Sequence, residues 1–248
     1  MLTLEAARLD RLRAAGGAAS RALRSALALA RPGMRTGDVD AAAAASLARS
    51  GARSAPRLVY GFPGCACVSV NEEAAHGVPG DRIIEPGDLV NVDVCSELHG
   101  YYADCGLSVA VEPAGEDASR LALAAREVLR EALASLSDGM TARALGALVE
   151  REAAARGYVT LLDLCGHGTG GAPHESPDYL ECYDNPRNGA IFRAGMVLAV
   201  EVFLSTRDRR TALAKDGWAY RTSPGNLTAQ AECTVLVTRT SPEILAGP

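Results

Sequence analysis

The stretch that decides the fold is Leu-Cys-Gly-His-Gly-Thr-Gly-Gly-Ala-Pro-His-Glu-Ser-Pro, residues 164–177. It contains His167 and His174, two of the four histidines in the chain. Their seven-residue separation does not fit the helical zinc motif, in which two histidines at i and i+4 share one face. One interpretation is a glycine-rich loop with two incidental imidazoles. The other is a metal site whose remaining ligands lie on other segments.

Two aspartates upstream of this stretch lie on a predicted β-hairpin. Residues 88–94 and 101–111 have the apolar pattern of strands, with polar residues and glycine between them. A turn centred between Leu98 and His99 places Asp93 and Asp104 directly opposite each other. Two facing carboxylates repel unless a cation lies between them, so the hairpin predicts a cation site.

Two glutamates further along the chain occupy similar settings. Glu201 and Glu232 have apolar neighbours on both sides in the predicted strands 197–204 and 228–238. A single glutamate in such a strand usually belongs to an edge and faces solvent. Because a buried carboxylate is costly unless it is paired or binds a metal, two of them beside a histidine stretch favour a site.

The two halves of the sequence show a weak internal repeat. Residues 32–51 and 138–157 both contain Gly-Met near the start and have glycines eighteen residues apart, at an offset of 106. Residues 86–94 parallel residues 194–202 at an offset of 108, which makes Asp93 and Glu201 equivalent. Unless this similarity is chance, it predicts two pseudo-symmetric halves whose acidic strands meet at a shared centre.

Helical patterns surround these strands. The sequence predicts a helix over residues 4–30, interrupted near Gly16 and Gly17, and a second helix over residues 39–49. Two more helices are predicted over residues 117–136 and 141–156, and residues 59–64 are predicted to be a loop. Helices together with antiparallel hairpins indicate the α+β class.

The composition is that of a globular protein. Hydrophobic residues make up 48% and charged residues 22% of the 248 positions. No apolar run reaches the roughly 18 residues of a membrane span, and charged residues interrupt the first thirteen positions, so we expect a cytoplasmic protein without a membrane segment. Seven cysteines without Cys-x-x-Cys spacing predict free thiols.

Charge is unevenly distributed along the chain. Residues 1–60 contain ten arginines and four acidic residues, which gives this segment a net charge of +6. Because the net charge of the full chain is −5, the remaining residues have a net charge of −11. A basic segment of this kind can contact RNA or an acidic surface. The alternative is a solvated helix face with no partner.

Four carboxylates and the His167 imidazole form an oxygen-rich ligand set with enough donors for two divalent ions. Water bound to a catalytic metal can reach a pKa near 7, which provides a hydroxide nucleophile at neutral pH. The remaining histidines His76 and His174 can then contact a substrate carbonyl or amide nitrogen. The residues therefore predict metal-dependent hydrolysis.

The chain resembles the type I methionine aminopeptidases, which belong to peptidase family M24 and have the pita-bread fold. The resemblance covers most of the chain from residue 31 to residue 234. It rests on these motifs, in family order and approximate spacing: Pro32-Gly33 with Thr36 and Asp40, Gly61-Phe62-Pro63, Ser69-Val70-Asn71-Glu72, His76-Gly77-Val78-Pro79, Asn91-Val92-Asp93, Gly166-His167-Gly168, His174-Glu175, Asp216-Gly217-Trp218 and Ala229-Gln230-Ala231-Glu232.

The resemblance implies a role for each ligand. Asp93 would hold one metal, Asp104 and Glu232 would bridge both, and His167 with Glu201 would complete the second. Glu201 would also shuttle the proton of the water that bridges the metals.

The resemblance also implies roles outside the ligand set. His76 and His174 would be catalytic residues that contact the substrate. The pocket for the methionine side chain would be lined by Phe62, Cys67 and Trp218. His99 matches no motif, and we expect it to be exposed to solvent.

At the level of the whole chain, the resemblance implies a pseudo-two-fold pita-bread fold around a dinuclear metal centre. Residues 1–248 would form a single catalytic domain, with residues 1–31 as an N-terminal helical extension. The two ions would be Co, Mn, Fe or Zn, which Asp, Glu and His ligands do not distinguish. The enzyme would be a cytoplasmic monomer that removes methionine from nascent chains, with the basic N-terminal segment meeting the ribosome.

Three positions depart from the family pattern. Asp104-Cys105-Gly106 replaces the usual Asp-Thr-Ser, Val202 replaces a proline, and Pro173 replaces an aromatic residue. All five ligands are present. Two alternatives remain: an X-Pro aminopeptidase or prolidase, which shares the metal ligands in a longer chain, and a non-catalytic binding module of the same fold.

Overall fold

The computed structural model describes the backbone of residues 2–248 and the side chains from residue 6 onward. Among these residues, no helix has the length and apolar character needed to cross a lipid bilayer. The helices are α1 (Leu2–Leu27), α2 (Thr36–Arg49), α3 (Ala55–Tyr60), α4 (Glu116–Ser135) and α5 (Ala142–Ala155). The strands are β1 (Arg53–Ser54), β2 (Cys67–Val70), β3 (Glu73–Ala75), β4 (Leu89–Leu98), β5 (Tyr101–Ala110), β6 (Val159–Thr160), β7 (Cys165–Gly168), β8 (Glu175–Glu181), β9 (Val197–Ser205), β10 (Ala212–Leu213), β11 (Tyr220–Arg221), β12 (Thr228–Leu236) and β13 (Glu243–Ala246).

One large antiparallel sheet organises the fold. Its central path runs β1-β4-β5-β12-β9-β7-β8, with β2 beside β4, β6 beside β9 and β13 beside β12. A smaller sheet joins β10, β11 and β3. α1 packs on β4 and β5, and α4 packs on β12 and β9. Because side chains alternate between the faces of a strand, Val92, Val94 and Val200 are buried on the face opposite their acidic neighbours Asp93 and Glu201.

The predicted internal repeat is confirmed by equivalent hydrogen bonds in the two halves. The Gly33 amide donates to the Ile84 carbonyl, and the Gly139 amide donates to the Phe192 carbonyl. These pairs stand at the offsets of 106 and 108 seen in the sequence, and they tie the turns before α2 and α5 to the segments that lead into β4 and β9. The two central strands therefore occupy equivalent places in the two halves.

Two local predictions are wrong. Residues 59–64 do not form a loop throughout, because α3 extends to Tyr60 with Ser54 as its N-cap and ends at Gly61 in the left-handed conformation. α1 is not interrupted at Gly16 and Gly17. Gly16 instead permits close packing, because a Cβ atom at this position would lie 2.0 Å from the carbonyl oxygen of Leu245 in β13.

The two adjacent glycines of α1 provide a matched test of this packing. Gly16→Ala should destabilise the protein by about 1–3 kcal/mol, because the new methyl group meets backbone that cannot rotate away. Gly17→Ala should be neutral or stabilise it by about 0.5–1 kcal/mol, because the nearest atom is the flexible guanidinium of Arg21 and alanine favours the helix. Urea unfolding measures both values. Equal stability of the two variants would contradict the packing described here.

Candidate metal centre

Neighbouring strands bring three of the predicted ligands into one row across the sheet. Asp93 on β4 pairs with Gly106 on β5, Gly106 pairs with Glu232 on β12, and Glu232 pairs with Glu201 on β9. Residues directly opposite each other in an antiparallel sheet point to the same face. The three carboxylates therefore converge on the face opposite α1 and α4.

The hairpin between β4 and β5 has a different register from the predicted one. Its turn consists of His99 and Gly100, which have φ angles of 53° and 81°, as a two-residue type I′ turn requires. Asp104 therefore pairs with Cys95, and the prediction that it lies directly opposite Asp93 is wrong. The two aspartates are instead diagonal neighbours on the same face, close enough to share a site. His99 is exposed to solvent.

His167 comes from a strand and not from the flexible loop that its glycine-rich surroundings suggested. It lies on β7 and pairs with Ala199 of β9. The flanking glycines allow this close fit: a Cβ atom on Gly166 would lie 2.3 Å from the Ala199 carbonyl oxygen, and one on Gly168 would lie 2.5 Å from the Glu175 carbonyl oxygen. The Gly-His-Gly sequence thus places the imidazole beside the carboxylates.

The ligand atoms form two groups that share one residue. Asp104, His167 and Glu232 offer atoms within 4.8 Å of one another, and so do Asp93, Glu201 and Glu232. The shared position of Glu232 suits the bridging role that the resemblance implies. Glu201 groups with Asp93, whereas the resemblance pairs it with His167. One Asp104 oxygen, Oδ1, is buried without a hydrogen-bond partner among the residues that the structure describes, as expected of an atom that binds a cation.

The electrostatics of the carboxylate cluster also favour the binding of cations. Burial raises the pKa of Asp104 to about 6, and burial together with neighbouring charges raises the pKa of Asp93, Glu201 and Glu232. Burial and the adjacent His174 lower the pKa of His167 to about 4, so its imidazole is neutral at pH 7 and can act as a metal ligand. Oxygen and imidazole donors of this kind suit divalent transition metals, and the residues present therefore fit such ions.

A buried amide network orients two of the carboxylates. The Asn91 side chain donates to Gln230 Oε1 at 2.7 Å. Gln230 Nε2 in turn donates to Glu201 at 2.8 Å and to Glu232 at 3.1 Å. Gln230 was not predicted to be a site residue, although it lies two residues before Glu232 and therefore on the same face of the strand.

The two remaining histidines border the same cavity as the ligands. His76 has a φ angle of 54°, which is uncommon for a residue other than glycine. Burial lowers the pKa of His76, and the nearby His174 lowers it further. The His174 ring lies 3.8 Å from the ring of His167, centroid to centroid. Tyr60 places its hydroxyl 2.7 Å from His174 Nδ1, although it was not among the predicted site residues.

The cavity has a volume of about 310 Å³ and combines the ligand cluster with an apolar wall. Phe62 and Trp218 meet edge to face with their ring centroids 5.3 Å apart. Trp218 is held by a turn in which its backbone amide donates to the Asp216 carboxylate. Cys67 and Pro173 also line the cavity. The structure therefore brings all the predicted metal, catalytic and pocket residues together in one place.

Comparison with known proteins agrees with this geometry. The sequence matches the profile of Metallopeptidase family M24 over residues 10–239. Methionine aminopeptidase 2 of Bacillus subtilis (strain 168) is 38% identical over 217 residues, 87% of either chain. A methionine aminopeptidase of Staphylococcus epidermidis is 36% identical over 213 residues, which are 86% of this chain and 85% of the relative.

Solved structures show the same fold. The crystal structure of methionine aminopeptidase from Thermotoga maritima matches with a TM-score of 0.93 at 30% identity, covering 98% of this chain and 97% of that one. Prolidase from Pyrococcus furiosus matches with a TM-score of 0.78 at 22% identity, covering 97% of this chain and 64% of its own, and this likeness concerns the fold alone. The predicted pita-bread fold is confirmed. The chain belongs to metallopeptidase family M24 and, within it, to the methionine aminopeptidases.

Proposed function

We propose that this chain removes the N-terminal methionine from peptides and nascent proteins, with residues 1–248 acting as one catalytic domain. The observation that carries the proposal is the convergence of five potential ligands on the wall of an apolar cavity. The methionine aminopeptidases to which the chain is similar support the substrate class. The five ligands are Asp93, Asp104, His167, Glu201 and Glu232.

We propose that these residues hold two divalent ions, with Co, Mn, Fe and Zn as the candidate metals. Such ions would supply Lewis acidity and lower the pKa of a water molecule towards 7. Glu201 is suited to carry the proton from the attacking water to the leaving amine. Its Oε1 accepts from Gln230, which leaves Oε2 without a protein donor among the described residues.

His76 and His174 are proposed to stabilise the reacting peptide bond. Both lie outside the ligand groups and border the cavity. Burial lowers the pKa of each, so both rings are neutral at pH 7 and can donate one N–H to a carbonyl oxygen or an amide nitrogen. Donors placed where charge develops lower the barrier of the reaction.

The methionine side chain is proposed to occupy the space between Phe62, Cys67 and Trp218. Aromatic edges and faces make favourable contacts with a thioether sulfur. The ring pair of Phe62 and Trp218 therefore suits methionine better than a charged or hydrogen-bonding side chain.

The first prediction concerns the metals. A chelator should abolish hydrolysis of a Met-Ala peptide, and Mn, Co, Fe or Zn should restore it, because the proposed nucleophile depends on a bound cation. Glu232→Gln should lower metal stoichiometry as well as rate, since Glu232 belongs to both ligand groups. Elemental analysis and titration calorimetry measure the stoichiometry.

Glu181→Gln is the matched control for this experiment, because Glu181 accepts hydrogen bonds from Asn185 and Asn188 outside the ligand groups. It should keep full metal content. Full activity of metal-free protein would contradict the proposed function, and unchanged stoichiometry in Glu232→Gln would contradict the bridging role. An X-Pro peptide tests the prolidase alternative and should be cleaved poorly.

The second prediction separates the two neighbouring imidazoles. His174→Ala should lower kcat by roughly 10²- to 10³-fold with metals still bound, the loss typical of one oxyanion donor. His167→Ala should lose metal, because it removes a ligand. Steady-state kinetics and metal analysis on the same samples check both outcomes. The reverse pattern would show that the two assignments are exchanged.

The third prediction concerns Pro173, which lines the cavity where the family usually has an aromatic residue. An aromatic contact with the methionine sulfur is worth about 0.3–1.5 kcal/mol, and proline does not supply it. Pro173→Phe should therefore raise the ratio of kcat/KM for Met over Leu peptides by about 2- to 10-fold, the equivalent of that contact energy. Metal content is checked alongside. An unchanged ratio would show that this residue does not contact the side chain.

We further propose that the enzyme is a cytoplasmic monomer whose basic N-terminal face meets the ribosome. Arg21 and Arg24 of α1 and Arg49 of α2 surround an open groove. None of the three forms an ion pair within the described part of the chain. Arginines without acidic partners are available to bind RNA phosphates.

The fourth prediction tests this face. Replacing Arg21, Arg24 and Arg49 by alanine should weaken binding to purified ribosomes and reduce the slope of log affinity against log salt by about 2. The control replaces the exposed Arg126, Arg130 and Arg187, which changes the charge equally and should leave the slope unchanged. Equal losses in both variants would contradict a specific face. Light scattering of the unmodified protein measures its molar mass and tests whether it is a monomer.

A further inference from the structure

Tyr60 is the last residue of α3, and its hydroxyl contacts a proposed catalytic residue. Its Oη lies 2.7 Å from His174 Nδ1, and the two ring centroids are 5.9 Å apart in an edge-to-face arrangement. The helix that carries it is fixed at both ends. Ser54 accepts from the Arg57 amide at the first turn, and Gly61 ends the helix in the left-handed conformation. The hydroxyl is thus presented to the imidazole by a short, capped element.

His174 is held from two sides. Tyr60 contacts the Nδ1 edge, and the ring of His167 lies 3.8 Å away, tilted by 36°. Within residues 6–248 the other ring nitrogen, Nε2, has no hydrogen-bond partner. His174 therefore has one nitrogen engaged by the protein and one available in the cavity, which a substrate can enter.

The hydrogen bond between Tyr60 and His174 affects which nitrogen of the His174 ring carries the proton. A neutral imidazole has one N–H donor and one acceptor nitrogen, and a hydrogen bond to one nitrogen fixes the state of the other. Burial raises the pKa of the Tyr60 phenol above its usual value, so the phenol keeps its proton at neutral pH and can donate it. When Tyr60 donates, Nδ1 is the acceptor and the proton of the ring lies on Nε2.

We propose that Tyr60 is a positioning residue for His174, fixing the tautomer and orientation in which Nε2–H donates to the carbonyl of the scissile peptide bond. This inference deepens the proposed aminopeptidase function and rests on it. Tyr60 acts through His174 and needs no contact with the substrate. The competing explanation, that Tyr60 is only part of the cavity wall, predicts different kinetics.

The direct test is Tyr60→Phe in the metal-loaded enzyme. Removing the hydroxyl should lower kcat by about 3- to 10-fold, the range for one neutral hydrogen bond, with KM and metal content unchanged. Tyr179→Phe is the matched control, because Tyr179 is 64% exposed near the same opening and its hydroxyl makes no hydrogen bond within the described residues. A rise in KM at constant kcat for Tyr60→Phe would identify a wall residue and overturn the proposal.

A double-mutant cycle tests whether Tyr60 affects kcat through His174. If Tyr60 acts through His174, Tyr60→Phe should have no effect on kcat in a His174→Ala background, because the group it positions is absent. Independent roles would give multiplicative losses. Multiplicative losses would therefore overturn the proposal even if the single variant is slow.

The tautomer itself is measured by ¹⁵N NMR of the zinc-loaded protein, with the His174 signals identified by their loss in His174→Ala. The unmodified protein should show an unprotonated Nδ1, and Tyr60→Phe should show mixed tautomers. A protonated Nδ1 in the unmodified protein would overturn the proposal. This measurement needs no turnover, so inactivity on methionine peptides would contradict the proposed function and leave the tautomer result to judge Tyr60 separately.

Discussion

The mutual repulsion and desolvation of four clustered carboxylates is the constraint on which this site depends. Asp93, Asp104, Glu201 and Glu232 lie on one face of the sheet, and burial raises the pKa of each. Such a group is costly to bury unless cations or hydrogen bonds compensate it. Gln230 compensates two of the carboxylates by donating to both, whereas the buried Asp104 Oδ1 has no donor in the described part of the chain. Divalent ions would compensate the rest.

The two-fold repeat explains how one chain places so many acids together. Each half contributes a central strand, β4 or β9, whose acidic residue occupies an equivalent position, and β5 and β12 lie between them. Helices α1 and α4 pack on the other face, so the site face carries polar residues without opening the core. Segments outside the central strands, α3 and the β7-β8 hairpin, supply Tyr60, His167 and His174. The central strands thus supply the carboxylates, and the segments beside them supply the imidazoles.

Much of this architecture was predictable, because it is encoded in local patterns. Glu201 and Glu232 are acidic residues within apolar strands, and the sequence repeat makes Asp93 equivalent to Glu201. The register of the β4-β5 hairpin was not predicted correctly. It depends on His99 adopting a positive φ angle, which the pattern of apolar residues in the two strands does not specify. The roles of Gly16 and Tyr60 depend on contacts with Leu245 and His174, which are distant in sequence.

The proposed function depends on two divalent ions binding to the carboxylate cluster. Anomalous diffraction from a crystal soaked in Mn²⁺, recorded above the manganese absorption edge, tests it most directly. The account predicts two peaks, one beside Asp104 and His167 and one beside Asp93, with Glu232 between them. No peak among these residues, or peaks only elsewhere on the molecule, would contradict the account.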